Sequence, residues 1–238
     1  MHMKISGIVI ILFLLISFPA TSQDLELRKN TFHLPVAMGV GEVVHTIGLA
    51  TAGLPEDVIE TVDAFRAPLL AYRVKTGLPW NLFATGGLES NIITWHFSAG
   101  LNWSHEFGEL GISAGADVAF WFGWLDQEGF DTRMNGWQLY PNITIGYTFP
   151  RFSVSVRSEL MIPFRQSTRI GDILTSERSR RVEGWSVGIY IEQPLWKDNY
   201  AVIGFKSNFT KFYYPMWAGF STFDRFFYIP EFIIGFNL

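Results

Sequence analysis

Tyr228-Ile229-Pro230-Glu231-Phe232-Ile233-Ile234-Gly235-Phe236-Asn237-Leu238 is the stretch on which the reading of this chain turns. Side chains alternate along an extended strand. Tyr228, Pro230, Phe232, Ile234, Phe236 and Leu238 therefore share one face, and Glu231, Gly235 and Asn237 fall on the other.

Seven further segments alternate in the same way: 80–88, 92–105, 109–124, 137–149, 152–164, 185–193 and 200–211. Their apolar faces carry no charge, as in Trp95, Phe97, Leu101 and Trp103, or Ile143, Ile145, Tyr147 and Phe149. Glu89, Asp117, Arg157, Glu159, Glu192, Lys206 and Glu231 all lie on the opposite faces. Alternation alone also suits a soluble sandwich. The connections after His105, Phe149 and Gln193 are short, however, and those after Trp124, Phe164 and Lys211 are long. Trp95, Trp124, Trp137 and Trp185 fall at one set of strand ends, and Trp80, Trp103 and Trp196 at the other, where indoles at a membrane headgroup level would stand.

An alternating, apolar strand at the carboxy terminus resembles the closing strand of bacterial outer-membrane β-barrels, with Leu238 in place of the commoner terminal Phe. The resemblance implies an all-β, transmembrane, antiparallel up-and-down barrel in the cell outer membrane, its carboxy terminus periplasmic. Eight strands are expected, with ten as the alternative. Arg66 to Lys75 also alternates, and a barrel with both termini on one side needs an even count, so that strand would require a partner such as Phe32 to Val40.

Ahead of the barrel, Lys4 precedes an apolar run from Ile5 to Phe18, and Ala20-Thr21-Ser22 supplies small residues for cleavage, so residues 1–22 read as a signal peptide. That run is too short for a spanning helix, which takes about 20 apolar residues. Val43, Val44 and Ile47, and then Val58, Ile59, Val62 and Phe65, recur at helical spacing. Residues 23–66 are accordingly expected to form a helical plug or periplasmic segment, and 67–238 the barrel. The sequence has no cysteine, which excludes a lipidated amino terminus, disulfides and thiolate chemistry. Without Lys4, 17 basic residues stand against 22 acidic ones, a net charge of −5 that gives nucleic acid no basic face.

A small barrel fills its bore with side chains, and charges buried there must be paired. The expected lumenal network is Arg157, Glu159, Glu192, Lys206 and Glu231, with Arg157 near Glu192 and Lys206 near Glu231. His96, Ser98 and Asp117 are the candidate catalytic residues: in a hairpin, Asp117 would lie opposite His96 or Ser98. His96-Phe97-Ser98 resembles the His-x-Ser of outer-membrane lipid A 3-O-deacylases over three residues, but the glutamate that follows in that family has no counterpart at the right end of this hairpin. Arg165, Arg169, Arg178, Arg180 and Arg181 suit bidentate contacts to lipopolysaccharide phosphates or an acidic partner. Trp217 and Phe220, in an aromatic loop too apolar for free solvent, are expected to cover the barrel mouth or meet a partner. No metal site or cofactor motif is present, and His33, His45, His96 and His105 are scattered. The expected role is a non-catalytic structural or accessory subunit of an envelope complex. A narrow channel and a lipid A-modifying acyl hydrolase are the alternatives.

Overall fold

The computed structural model describes residues 30–53, 66–127, 130–170, 173–178, 182–196, 198–219 and 225–238. Eleven antiparallel strands form one sheet: β1 (Val43–Gly53), β2 (Arg66–Leu78), β3 (Leu82–Ser90), β4 (Thr94–Phe107), β5 (Leu110–Gln127), β6 (Phe130–Thr148), β7 (Ser153–Ile170), β8 (Ile173–Arg178), β9 (Gly184–Pro194), β10 (Tyr200–Thr210) and β11 (Phe227–Asn237). Each strand of the wall pairs with its neighbours in order, and β1 pairs with β11, Leu49 opposite Ile234, so the sheet closes. Closure leaves the ring itself without an edge strand. β8 stands outside the ring, pairing only with the far part of β7, whose near part pairs with β9. The wall is therefore a ten-stranded barrel, the alternative count and not the eight expected first.

The two added strands are β1 and β2. Val43–Gly53, whose first residues recur at helical spacing, form a strand and not a helix. The inner face of β1 is Val44, Thr46, Gly48, Ala50 and Ala52, which is small and largely apolar. Those residues erase the polar half of the alternation, and the remaining valines and isoleucine then mimic helical spacing. The partner of Arg66 to Lys75 is this strand, with Ile47 opposite Tyr72, and not the stretch 32–40. The wall thus begins at Val43, ahead of the expected boundary at residue 67. The signal peptide and the helically spaced Val58, Ile59, Val62 and Phe65 lie outside the described residues.

On the other eight strands the sequence pattern sets the facing. Along β11, Ile234 is 62% exposed and its neighbour Ile233 is 7% exposed. The outer surface presents Leu49, Leu70, Phe97, Leu101, Ile143, Ile145, Ile189, Phe232 and Phe236, with Trp80 and Trp103 toward one end and Trp95, Trp124, Trp137 and Trp185 toward the other. The short turns and the carboxy terminus share one end, called here the turn end. The opposite end is the loop end. There the connection after Trp124 is not a dozen-residue loop. β5 and β6 continue as a paired ladder to Gln127 opposite Phe130 and rise above the aromatic level as an extension of the wall.

Candidate functional site

Charged side chains converge in the bore of the barrel, which the chain itself enters from both ends. At the turn end, residues 31–39 run into the lumen. Glu192 on β9 meets them: its carboxylate oxygens accept the backbone N–H groups of Phe32 (2.7 Å), His33 (3.1 Å) and Leu34 (2.9 Å), and the Asn237 side-chain amide at 2.7 Å. Three successive amides converging on one carboxylate form a small anion cradle turned inward on the protein's own acid. Lys75 donates to the Leu34 carbonyl at 2.9 Å, and the His33 ring stacks flat on Tyr190, centroids 3.8 Å apart.

Wall glycines leave the room that this segment occupies. A Cβ on Gly111 would lie 2.6 Å from the Pro35 carbonyl oxygen, and one on Gly146 would lie 2.5 Å from the Pro35 ring. On Gly77 it would meet the Gly39 carbonyl oxygen at 2.1 Å. These are close approaches that only glycine permits.

At the loop end, residues 211–219, including a 3-10 turn over Tyr214–Gly219, fold down into the mouth. Trp217 is buried against the bare Cα of Gly123, where a Cβ would lie 1.9 Å from the indole nitrogen. Trp217 joins Trp121, Met134, Phe212, Tyr213, Phe227 and Ile229 in the largest apolar cluster of the interior. The two tyrosine hydroxyls reach down into the bore: Tyr213 donates to Glu231 at 3.2 Å, and Tyr214 hydrogen-bonds Glu89. Burial, reinforced by the adjacent carboxylates, raises both phenols well above their ordinary value, so they remain donors. The aromatic loop therefore covers the mouth, with Trp217 turned inward. Phe220 lies outside the described residues.

Between plug and cap is a cavity of about 120 Å³ whose walls carry the ion network. Arg157 pairs with Asp117 and, at 3.1 Å, with Glu159; Glu159 also takes Lys206 and the Ser186 hydroxyl. Arg73 pairs with Glu89, Nε to Oε1 3.0 Å. The partners differ from those expected. Lys206 does stand directly opposite Glu231 on β11, but its ammonium reaches Glu159, two strands away in the other direction. It does so across Gly188, which stands opposite both Lys206 and Arg157 and offers no side chain in the way. Glu231 instead accepts from Tyr213 and Asn208, and Glu192 serves the plug and not Arg157. Sequence reasoning left Arg73, Lys75 and Tyr190 out of the network and missed the glycines. The inner-face glycines were the available signal, because each marks where something other than its own side chain fills the bore.

His96, Ser98 and Asp117 are not brought together. Asp117 lies opposite Gly100, two rungs from the position expected, and its carboxylate is taken by Arg157, Thr85 (2.8 Å) and Asn142 (3.3 Å). Ser98 stands opposite Gly87 and Ala119. His96 is buried under the ring of Tyr214, centroids 4.2 Å apart, with Glu89 3.8 Å from Nδ1. No nucleophile, base and acid are aligned here. Among the described residues no cluster of His, Asp and Glu suits a metal ion.

Of the arginines, Arg165 and Arg169 are exposed on the loop-end extension of β7; Arg178 ends β8, and Arg180 and Arg181 lie outside the described residues.

No protein-family model and no curated protein matches this chain. Among solved structures, it is similar to the translocator domain of the autotransporter NalP from Neisseria meningitidis at 11% identity and a TM-score of 0.41, covering 84% of this chain and 88% of that one. Neisserial surface protein A (NspA) gives 11% identity and a TM-score of 0.36, over 82% and 96% of the two chains. CdiB from Acinetobacter baumannii gives 10% and 0.32; the match takes in 70% of this chain and 31% of CdiB, so this chain spans about a third of that protein. At these levels of similarity the functional reading rests on the side chains alone.

Proposed function

We propose that the chain is an integral outer-membrane β-barrel that serves as a non-catalytic structural or accessory subunit of an envelope complex, its carboxy terminus periplasmic and its loop end outward. The observation that carries the reading is the pairing of a closed wall, apolar on its outer surface, with a bore occupied from both ends. A strand of 11 residues at about 3.3 Å per residue, tilted about 45°, rises about 25 Å, which suits the apolar band of such barrels. In lipid every backbone polar group must be paired, and a closed ladder meets that demand. A barrel with a filled bore works through its surfaces. Two features support a non-catalytic role: Asp117 is committed to Arg157, and His96 is covered by Tyr214.

A gated narrow channel is the second reading. The charged cavity between plug and cap favours it, since withdrawal of both would leave a polar bore. Purification in mild detergent, identification of co-purifying envelope proteins and planar-bilayer recording separate the two. The accessory reading expects a stoichiometric protein partner and a silent bilayer. Stable unitary conductance without a partner would favour the channel.

A further inference from the structure

In the lining of the cavity between plug and cap, the cations of Arg73, Arg157 and Lys206 face the carboxylates of Glu89, Asp117, Glu159 and Glu231. Glu89 takes Arg73, Asp117 takes Arg157, and Glu159 takes both Arg157 and Lys206. Glu231, 6% exposed, accepts only from the neutral side chains of Tyr213 and Asn208, so the lining carries one negative charge without a partner cation. A carboxylate buried in this way is stable in its charged form only beside a cation. His96 is the second unsatisfied group of the lining. It is buried and neither ring nitrogen has a hydrogen-bond partner, since the Glu89 carboxylate, 3.8 Å from Nδ1, is beyond reach.

The cap brings these two groups to the same part of the cavity: Tyr213 holds Glu231, Tyr214 lies flat on His96, and the two tyrosine rings are 6.1 Å apart. Tyr140 and Tyr190 add to the aromatic lining, and the face of a tyrosine ring attracts a cation. A cavity of about 120 Å³ has room for on the order of ten waters, and so for an organic molecule of a few heavy atoms. We propose that this cavity binds a small organic cation, a primary ammonium whose N–H donors meet Glu231 and whose short polar tail meets His96. A hydroxyl suits that tail, because a neutral imidazole presents one N–H and one lone pair, and a hydroxyl can answer either. A quaternary ammonium has no N–H to donate, and no metal-binding cluster exists among the described residues. The site goes beyond the reading above and holds for either role of the barrel.

The test is equilibrium dialysis of the purified, folded chain in mild detergent against radiolabelled ethanolamine, which is protonated at neutral pH. Saturable binding of one molecule per barrel is expected. Ethylene glycol, which has the same shape without the charge, and tetramethylammonium are expected not to compete. Glu231→Gln should weaken binding at least about tenfold, and His96→Phe, which keeps a ring on Tyr214, about threefold. A heat-dependent shift in electrophoretic mobility checks that each variant still forms the barrel. Where Glu231→Gln does not fold, His96→Phe and the competition carry the test. Absence of saturable binding overturns the inference, as does an unchanged affinity in a folded Glu231→Gln or, where that variant does not fold, in His96→Phe. Equal competition by ethylene glycol overturns it too, by showing that any polar solute fills the space, and equal competition by sodium does so by making the ligand a bare ion.

Discussion

Glu192→Ala releases the plug. In the native chain one carboxylate accepts three backbone N–H groups of residues 32–34, at 2.7 to 3.1 Å, and the Asn237 amide. A buried donor left without an acceptor costs about 1–3 kcal/mol, so holding the segment in place without Glu192 costs about 3–9 kcal/mol for the three amides. Against that, the His33 stack on Tyr190 contributes about 0.5–1.5 kcal/mol. The Lys75 bond to the Leu34 carbonyl adds about 1.5–3 kcal/mol. Fixing the backbone opposes docking by about 1–2 kcal/mol per residue. What is left does not hold the segment in, and a loss of about 3 kcal/mol already raises the undocked population more than about a hundredfold.

The chain has no cysteine, so Leu34→Cys, at a fully buried position, gives a single reporter. With a water-soluble maleimide, labelling in the Glu192→Ala background is expected to be about a hundredfold faster than in the parent, with the heat-dependent mobility shift of the wall retained. Equal labelling rates in the two backgrounds would refute the cradle as the anchor.

Three further outcomes follow from the same interior. Gly123→Ala places a Cβ 1.9 Å from the Trp217 indole nitrogen, so the cap must leave; acrylamide quenching, taken as the difference from a Trp217→Phe control, is expected to reveal a newly accessible indole. Arg157→Met strips Asp117 of its cation while Glu159 keeps Lys206, and costs about 3 kcal/mol in urea unfolding from vesicles, most of it recovered when Asp117→Leu is added. Burial first, and then the positive charges of Arg73, Arg157, Lys75 and Lys206, hold His33 well below its ordinary value of 6.5. Because the docked form is the neutral one, the contribution of His33 is complete above about pH 6.5 and is lost as the pH falls below it. Labelling at Leu34→Cys should therefore accelerate on acidification, and a His33→Phe background should remove the part of that acceleration that sets in just below pH 6.5, leaving what protonation of the Glu192 carboxylate causes at lower pH.

The outer surface was legible in the sequence because lipid-facing positions must be apolar at every second residue, and Trp95 to Trp103 or Tyr228 to Leu238 could not hide that period. β1 was not, because small side chains at Gly48, Ala50 and Ala52 make room in the bore; Ala50 packs with Leu69, Tyr190 and Ile233. The lumenal charges were found but their partners were not. Pairing by neighbouring strands assumes a flat sheet, whereas in a closed bore Lys206 reaches across Gly188 to Glu159. The plug was least legible of all: its backbone amides, which Glu192 binds, carry no sequence signature, and only Gly77, Gly111 and Gly146 hint at it.

The most direct measurement is a single-site spin-label scan along β11 from residue 229 to residue 236 in reconstituted vesicles, reading collision with oxygen and with a water-soluble nickel chelate. A lipid-facing wall around a filled bore predicts oxygen access at the even positions Pro230, Phe232, Ile234 and Phe236, and protection from both reagents at Ile229, Glu231 and Ile233. Nickel access at the odd positions would mean an open, water-filled lumen, and nickel access at the even ones would mean that this surface does not face lipid.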